Sequence, residues 1–178
     1  MKNLEKIRHS LSHVMAAAVK KLFPEAVLGI GPTIENGFYY DFDSTSKITE
    51  IDLLRIEKQM KKILSQNVRF NKEEKSFREA KRMFKNEPYK LDLISDLEES
   101  GEKNVSIYSS GNLIDLCKGP HVESTKEISI DGFKLTRLAG AYWKGSENNA
   151  QLQRIYGVAF ESAEKLNIFL KRGSGNLG

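Results

Sequence analysis

The stretch L-I-D-L-C-K-G-P-H, residues 113–121, closes on the spacing C-x-x-x-H, and its counterpart H-S-L-S-H lies far upstream at residues 9–13. The 178-residue chain holds three histidines and one cysteine, and all four fall inside these two motifs. Imidazole and thiolate are the side chains best suited to holding a soft metal or moving a proton near neutral pH. Scattered at random, four such residues would rarely sort into two spacings of this kind. The fold must therefore bring two distant segments together into one site.

Working outward from 113–121, Gly119 and Pro120 forbid a regular helix between Cys117 and His121, so this half of the site sits on a tight loop. Segments 105–109 and 112–116 read as a hairpin around Gly111 that delivers Asp115 and Cys117 to a strand end. Two residues apart on a strand, they point to the same side, where Asp115 could orient an imidazole or remain an exposed carboxylate. The upstream half is helical. Leu4, Ile7, Leu11, Met15, Ala18 and Leu22 recur at steps of three and four, giving an amphipathic helix over 4–22 that Pro24 ends. His9 and His13 share one face a turn apart, roughly opposite the apolar stripe. Ala16 and Ala17 flank that face and leave room for another element or a ligand to come close.

Asn36-Gly37 marks a hairpin within residues 29–43, and alternation sends Tyr39 and Tyr40 to opposite faces, one toward the core and one toward the site. A second amphipathic helix is expected over 50–66, a short strand over 68–70, and a basic helix from about Glu73 to Lys85. Pro88 interrupts the pattern. Tyr89 and Lys90 lead into a short helix over 91–97, then a polar loop over 98–104. Asp131-Gly132 predicts a hairpin between 128–130 and 133–138, followed by the loop-like A-G-A-Y-W-K-G. A strand over 152–160, a closing helix over 161–171 and a disordered tail over 173–178 complete the chain. The fold class is α+β: antiparallel sheet with helices packed on one face. Residues 1–172 form one domain, or two lobes of about 1–100 and 101–172.

Hydrophobic content of 39% and charged content of 29% describe a soluble globular chain. A single cysteine makes no internal disulfide and suits a reducing compartment. No apolar run approaches the roughly 20 residues that span a bilayer, and M-K-N-L-E-K is too polar for a signal peptide. The expected location is the cytoplasm, without membrane contact. Net charge is +4. Between Arg55 and Lys85 stand 11 basic and 4 acidic residues, and between Asn86 and Lys103 stand 2 basic and 6 acidic. Such a stripe could track phosphates, and a solvated helix face explains it equally well. No G-x-x-x-x-G-K-[ST] is present, so no nucleotide cofactor is expected.

A helix pair and a loop pair can converge to an N, N, S, N quartet of His9, His13, Cys117 and His121 with the tetrahedral character of zinc. Four protein ligands close a zinc site, however, whereas hydrolysis needs a position for water. Either one ligand yields to solvent, or the histidines order and polarise a water without metal. Cys117 attacking as a nucleophile activated by His121 is a third arrangement, less attractive beside three imidazoles. A structural zinc site is the fourth. Lys90 could contact a phosphate or polarise a carbonyl.

H-S-L-S-H, G-P-T-I-E-N-G-F-Y-Y-D, Y-K, D-L-C-K-G-P-H, G-A-Y-W-K-G and L-Q-R-I-Y-G occur together and in this order. Over about residues 5–171 the chain resembles the editing region of bacterial threonyl-tRNA synthetases, and its H-x-x-x-H and C-x-x-x-H pairs are similar to those of alanyl-tRNA editing proteins. The resemblance implies a fold of the threonyl/alanyl second-additional-domain type and hydrolysis of mischarged seryl-tRNA(Thr). It makes His9, His13, Cys117 and His121 the central quartet, gives Lys90 and Asp115 a part in hydrolysis, and has Tyr40 line the site. Zn2+ fills the quartet in the alanyl relatives. The threonyl branch is usually regarded as metal-free, so zinc stays open.

A pocket distinguishes serine from threonine by one methyl, worth about 1–3 kcal/mol, so accurate charging needs a second sieve. Tyr142 and Trp143 could stack on terminal bases of the tRNA, with packing the alternative for at least one. Class II synthetase motifs are absent, so ATP-dependent ligation is not expected. The family's small N-terminal domain is not found, and K-R-G-S-G-N-L-G departs from its long linking helix. The implied partners are the tRNA(Thr) acceptor end carrying serine and, for a fragment, the rest of the synthetase; a free-standing editor acting in trans is the other possibility. A catalytically silent tRNA-binding module and a zinc-stabilised structural domain are the competing classes.

Overall fold

A computed structural model of the chain describes residues 3–176. Residues 1–2 and 177–178, and with them the outermost ends of the expected domain and tail, lie outside the described residues. Helix α1 (Asn3–Leu22) carries the expected stripe of Ile7, Leu11, Val14, Met15, Ala18 and Val19 into the core, and Ser10, Ser12, His13 and Ala16 are buried as well. The histidine face is therefore covered too. Ser12 Oγ donates to the Gly31 carbonyl at 2.8 Å, and Ser10 Oγ meets the loop that follows residue 117. The helix is a spindle that two sides of the molecule close around.

One side is an antiparallel five-stranded sheet in the order β1-β3-β8-β7, with β2 also on β3. Its strands are β1 (Val27–Leu28), β2 (Thr33–Ile34), β3 (Gly37–Asp43), β7 (Phe133–Tyr142) and β8 (Gln151–Ala159). Asn36, with φ 65°, turns β2 into β3, and a Cβ on Gly37 would strike the Gly157 carbonyl of β8. Along β3, Phe38, Tyr40 and Phe42 are fully buried. Tyr39 takes the opposite face, where the Arg154 guanidinium lies 3.8 Å from its ring centre. Helix α2 (Asp52–Leu64) buries Leu53, Ile56, Met60 and Leu64 and packs on α1 and β7. These helices cover one face of the sheet, as the alternating pattern requires.

The other side is a three-stranded sheet β4-β5-β6, made of β4 (Phe70–Lys75), β5 (Val105–Ser110) and β6 (Leu113–Leu116). Gly111, with φ 60°, makes the expected turn between β5 and β6. Helices α3 (Phe77–Met83) and α4 (Pro88–Glu99) pack beside it around Ala80, Phe84, Ile94, Val105 and Ile107. The larger core draws on residues from Ile7 to Ala159. Helix α5 (Ala163–Asn176) closes the chain, so residues 173–176 of the expected disordered tail continue a helix. Among the described residues no helix is long and apolar enough to cross a membrane.

Four local expectations are corrected. The basic helix starts at Phe77, because Ser76 Oγ accepts the Glu79 N–H at 3.1 Å as an N-cap; residues 73–75 pair with β5. Pro88 opens α4 from its first turn, where a proline costs nothing, and so places Tyr89 and Lys90 on the helix. Residues 128–130 form no strand, since a capping box between Ser124 and Glu127 turns the chain just before them, and β7 pairs with β8 instead. The same pairing carries β7 through Ala139, Gly140 and Ala141 to Tyr142, a stretch whose small residues suggest a loop.

Candidate functional site

Two residues of α1 and two of the loop after β6 converge. Cys117 Sγ lies 3.3 Å from His9 Nε2 and 3.4 Å from His121 Nε2. The His9 and His121 rings stack at 4.2 Å, and the His13 ring meets His121 edge-on at 4.3 Å. The loop is held in this shape by Gly119. Its φ of 80° suits glycine, and a Cβ there would collide with the Tyr108 hydroxyl. The Gly119 N–H donates to Cys117 Sγ at 3.3 Å.

Beneath the quartet sits a buried ionic group. Asp115, 1% exposed on β6, accepts from Lys90 Nζ at 2.6 Å and from the Tyr40 hydroxyl at 2.6 Å. Lys90 also donates to Tyr40 Oη at 3.0 Å. Lys90 is 2% exposed and Tyr40 fully buried. Lys90 therefore cannot reach a phosphate at the surface, and Tyr40 supports the site from below through its hydroxyl, its ring packed in the core. His13 Nδ1 faces Asp115 Oδ2 at 3.5 Å and links the two tiers.

Burial separates the tiers electrostatically. It pushes His13 down to about 4 despite Asp115, and lowers His9 and, further, His121, where the other imidazoles add to the effect. It raises the Cys117 thiol to about 11, against the Gly119 N–H. At neutral pH the upper tier carries no net charge, so His13 and Asp115 meet as neutral ring and carboxylate. Burial also opposes the Asp115 charge, but Lys90 and His13, with the Lys90 and Tyr40 hydrogen bonds, outweigh it and hold the carboxyl below its usual range. Burial, then Asp115, keeps Tyr40 protonated. A thiol held this firmly in its protonated form is a poor nucleophile.

Tyr142, 43% exposed at the end of β7, is available to a partner. Trp143 is not: it is buried, its Nε1–H donates to Asp92 Oδ2 at 2.8 Å, and its ring packs on Tyr89 at 4.9 Å. Of the two roles expected for this pair, Trp143 takes the packing one. Sequence reasoning passed over Ser10, which is fully buried between the two histidines of the motif and contacts His121 Nδ1 at 3.0 Å. Its place inside H-S-L-S-H gave no sign of this, because its partners His121 and Val122 are distant in sequence. Phe70 and Tyr108, which flank the His121 ring at 5.0 and 4.5 Å, carried none. A surface cleft of about 960 Å3, lined by Glu74, Leu97, Ser106 and Leu116, ends on Cys117 and Lys118.

The quartet fits a metal ion by its donors. One ligand atom from each of His9, His13, Cys117 and His121 lies within 4.8 Å of all the others. His9 Nδ1 meets the Pro120 carbonyl at 3.2 Å and His13 Nδ1 faces Asp115, acceptors of the kind that stand behind metal-bound histidines, while His121 Nδ1 meets the Ser10 hydroxyl at 3.0 Å.

Residues 105–156 match the family described as threonyl and alanyl tRNA synthetase second additional domain. The chain is 49% identical over 170 residues to a threonine–tRNA ligase of Ureaplasma parvum, covering 94% of this chain and 28% of the relative. For the Gloeobacter violaceus threonine–tRNA ligase the identity is 52% over 172 residues, 95% of this chain and 27% of the relative. For that of Dehalococcoides mccartyi it is 48% over 183 residues, 99% and 31%. The chain thus spans less than a third of the length of the curated relatives it matches, and its likeness to the editing region of threonyl-tRNA synthetases is borne out.

Proposed function

From the premise that this chain is the counterpart of that segment of threonyl-tRNA ligases, we propose that it hydrolyses the ester of seryl-tRNA(Thr). The observation that supports this most is the meeting of the α1 imidazoles with Cys117 and His121 above a rigid Lys90–Asp115–Tyr40 base. The aminoacyl ester is activated, so an ordered water in a preorganised polar site is sufficient. The imidazoles hold and orient that water; with His13 depressed to about 4, orientation rather than full deprotonation is its contribution. Cys117 serves as a hydrogen-bonding group and not as the attacking atom. The pocket acts as a second sieve, admitting serine and leaving threonine, by its added methyl, badly placed for attack.

Zinc, held by His9, His13, Cys117 and His121, would supply Lewis-acid polarisation when bound. The acceptor end of tRNA(Thr) is the partner, and the exposed Lys58, Lys62, Arg69, Arg78, Arg82 and Lys85 are available to its phosphates, being without ion-pair partners among the described residues. The remainder of a synthetase would deliver that end, and the work would be done in the cytoplasm. The chain is to be incubated with labelled seryl- and threonyl-tRNA(Thr). Faster loss of serine is expected, abolished or strongly slowed by His9→Ala; decay of both esters at the uncatalysed rate would refute the proposal. Binding of tRNA with no deacylation would favour a silent module.

A further inference from the structure

We propose that Ser10 is a positioning residue: its hydroxyl fixes His121 in the tautomer that points an N–H at Cys117, which favours water chemistry in the quartet and opposes metal capture. This rests on the quartet being the hydrolytic site.

The ring nitrogens take their roles from their partners. Ser10 Oγ lies 3.1 Å from the Val122 N–H and accepts it, and lies 3.0 Å from His121 Nδ1. Ser10 is fully buried, and no other acceptor for its hydroxyl hydrogen is found among the described residues. A buried donor left unmade is costly, so the hydroxyl donates to His121 Nδ1. The neutral ring then carries its proton on Nε2, aimed at Cys117 Sγ 3.4 Å away. On the far side, His9 Nδ1 lies 3.2 Å from the Pro120 carbonyl, which can only accept. His9 is therefore the Nδ1–H tautomer, and its bare Nε2 receives the Cys117 S–H at 3.3 Å. The result is one directional chain, Ser10 to His121 to Cys117 to His9 to Pro120, in which every donor has an acceptor.

Two consequences follow. His13, whose Nδ1 proton is favoured by the Asp115 carboxylate, keeps a lone pair on Nε2 that no described protein group occupies, so the water belongs there. His9 and His13 already turn bare Nε2 atoms toward a metal, but His121 does not. To bind metal through Nε2 it must move its proton to Nδ1, and the Ser10 hydroxyl hydrogen then loses its only acceptor. An acceptor without a hydrogen at position 10 would reverse this preference, as carboxylates behind metal-bound histidines do.

The test uses the full chain, 15N-labelled and stripped of metal by a chelator. Long-range proton–nitrogen spectra should show His121 with a pyridine-type Nδ1 and a pyrrole-type Nε2, and His9 with the opposite pattern. A pyrrole-type Nδ1 on His121 would overturn the proposal. Ser10→Asp should reverse the His121 tautomer and tighten Co2+ binding, followed by sulfur-to-cobalt absorption, by roughly 10–100-fold. A folded Ser10→Asp variant with unchanged or weaker Co2+ binding would also overturn it, whereas Ser10→Thr should retain the parent pattern. The parent spectrum decides even if neither variant folds. A chain that deacylates yet shows the wrong tautomer sinks the role of Ser10 alone; one that fails to deacylate with the expected tautomer sinks the hydrolytic reading and leaves the proton arrangement standing.

Discussion

Asp115 and Cys117 stand only two residues apart, yet their surroundings enforce opposite states. Around Asp115, a lysine, a tyrosine hydroxyl and a backbone N–H from Leu116 satisfy a charge that is almost wholly buried. Around Cys117, three imidazoles and a backbone N–H offer no charge at all, and burial strips every group to its neutral form. In a low-dielectric interior an ion survives where a counter-ion meets it, and elsewhere the proton moves. Among the described residues the single buried lysine goes to Asp115, so the lower tier is an ionic foundation and the upper tier a set of uncharged hydrogen-bonding groups.

The contrast breaks most severely if the counter-ion is removed. Lys90→Met should leave Asp115 buried and unpaired and cost roughly 3–5 kcal/mol, read from urea midpoints. Adding Asp115→Leu to it should recover much of the loss; a double variant as unstable as the single one would show that pairing is not what holds this tier. The upper tier gives the next largest effect. Its histidines have folded values below their unfolded 6.5, so the unfolded chain binds more protons as pH falls. Stability is full above 6.5 and drops toward pH 4, with His13 alone contributing a loss of about 3 kcal/mol. The urea midpoint measured between pH 7 and 4.5 checks this, and His13→Asn should flatten the slope.

Gly119→Ala forces a side chain into a left-handed backbone against Tyr108 and should cost about 1–3 kcal/mol by thermal melting, with Co2+ binding weakened alongside. A variant as stable as the parent would mean the loop shape is not imposed by Gly119. Smallest is Tyr142→Ala, expected to leave stability within about 0.5 kcal/mol because the ring is exposed. Any slowing of deacylation there would report contact with tRNA.

The upper tier was legible in the chain because its residue types are rare and their spacing unusual, and α1 because one apolar stripe repeats over five turns. Asp115 could be placed by strand alternation alone. The pairing of Lys90 with it could not, since Pro88 reads equally as a stop or as the first turn of a helix, and only the second puts Lys90 against β6. The pairing of β7 with β8 was hidden for a different reason. Ala139, Gly140 and Ala141 have little strand preference of their own and are extended because β8 lies beside them. Ser10 was missed because a hydroxyl in a helix looks inert until its two partners, both more than a hundred residues away, are known.

The wide separation of the two motifs carries a consequence for synthesis. His9 and Cys117 are 108 positions apart, and the last imidazole comes four later still. A ribosome must extrude about two thirds of this segment before the cluster can exist at all. The proposed hydrolysis would therefore belong to the folded segment and not to its growing precursor.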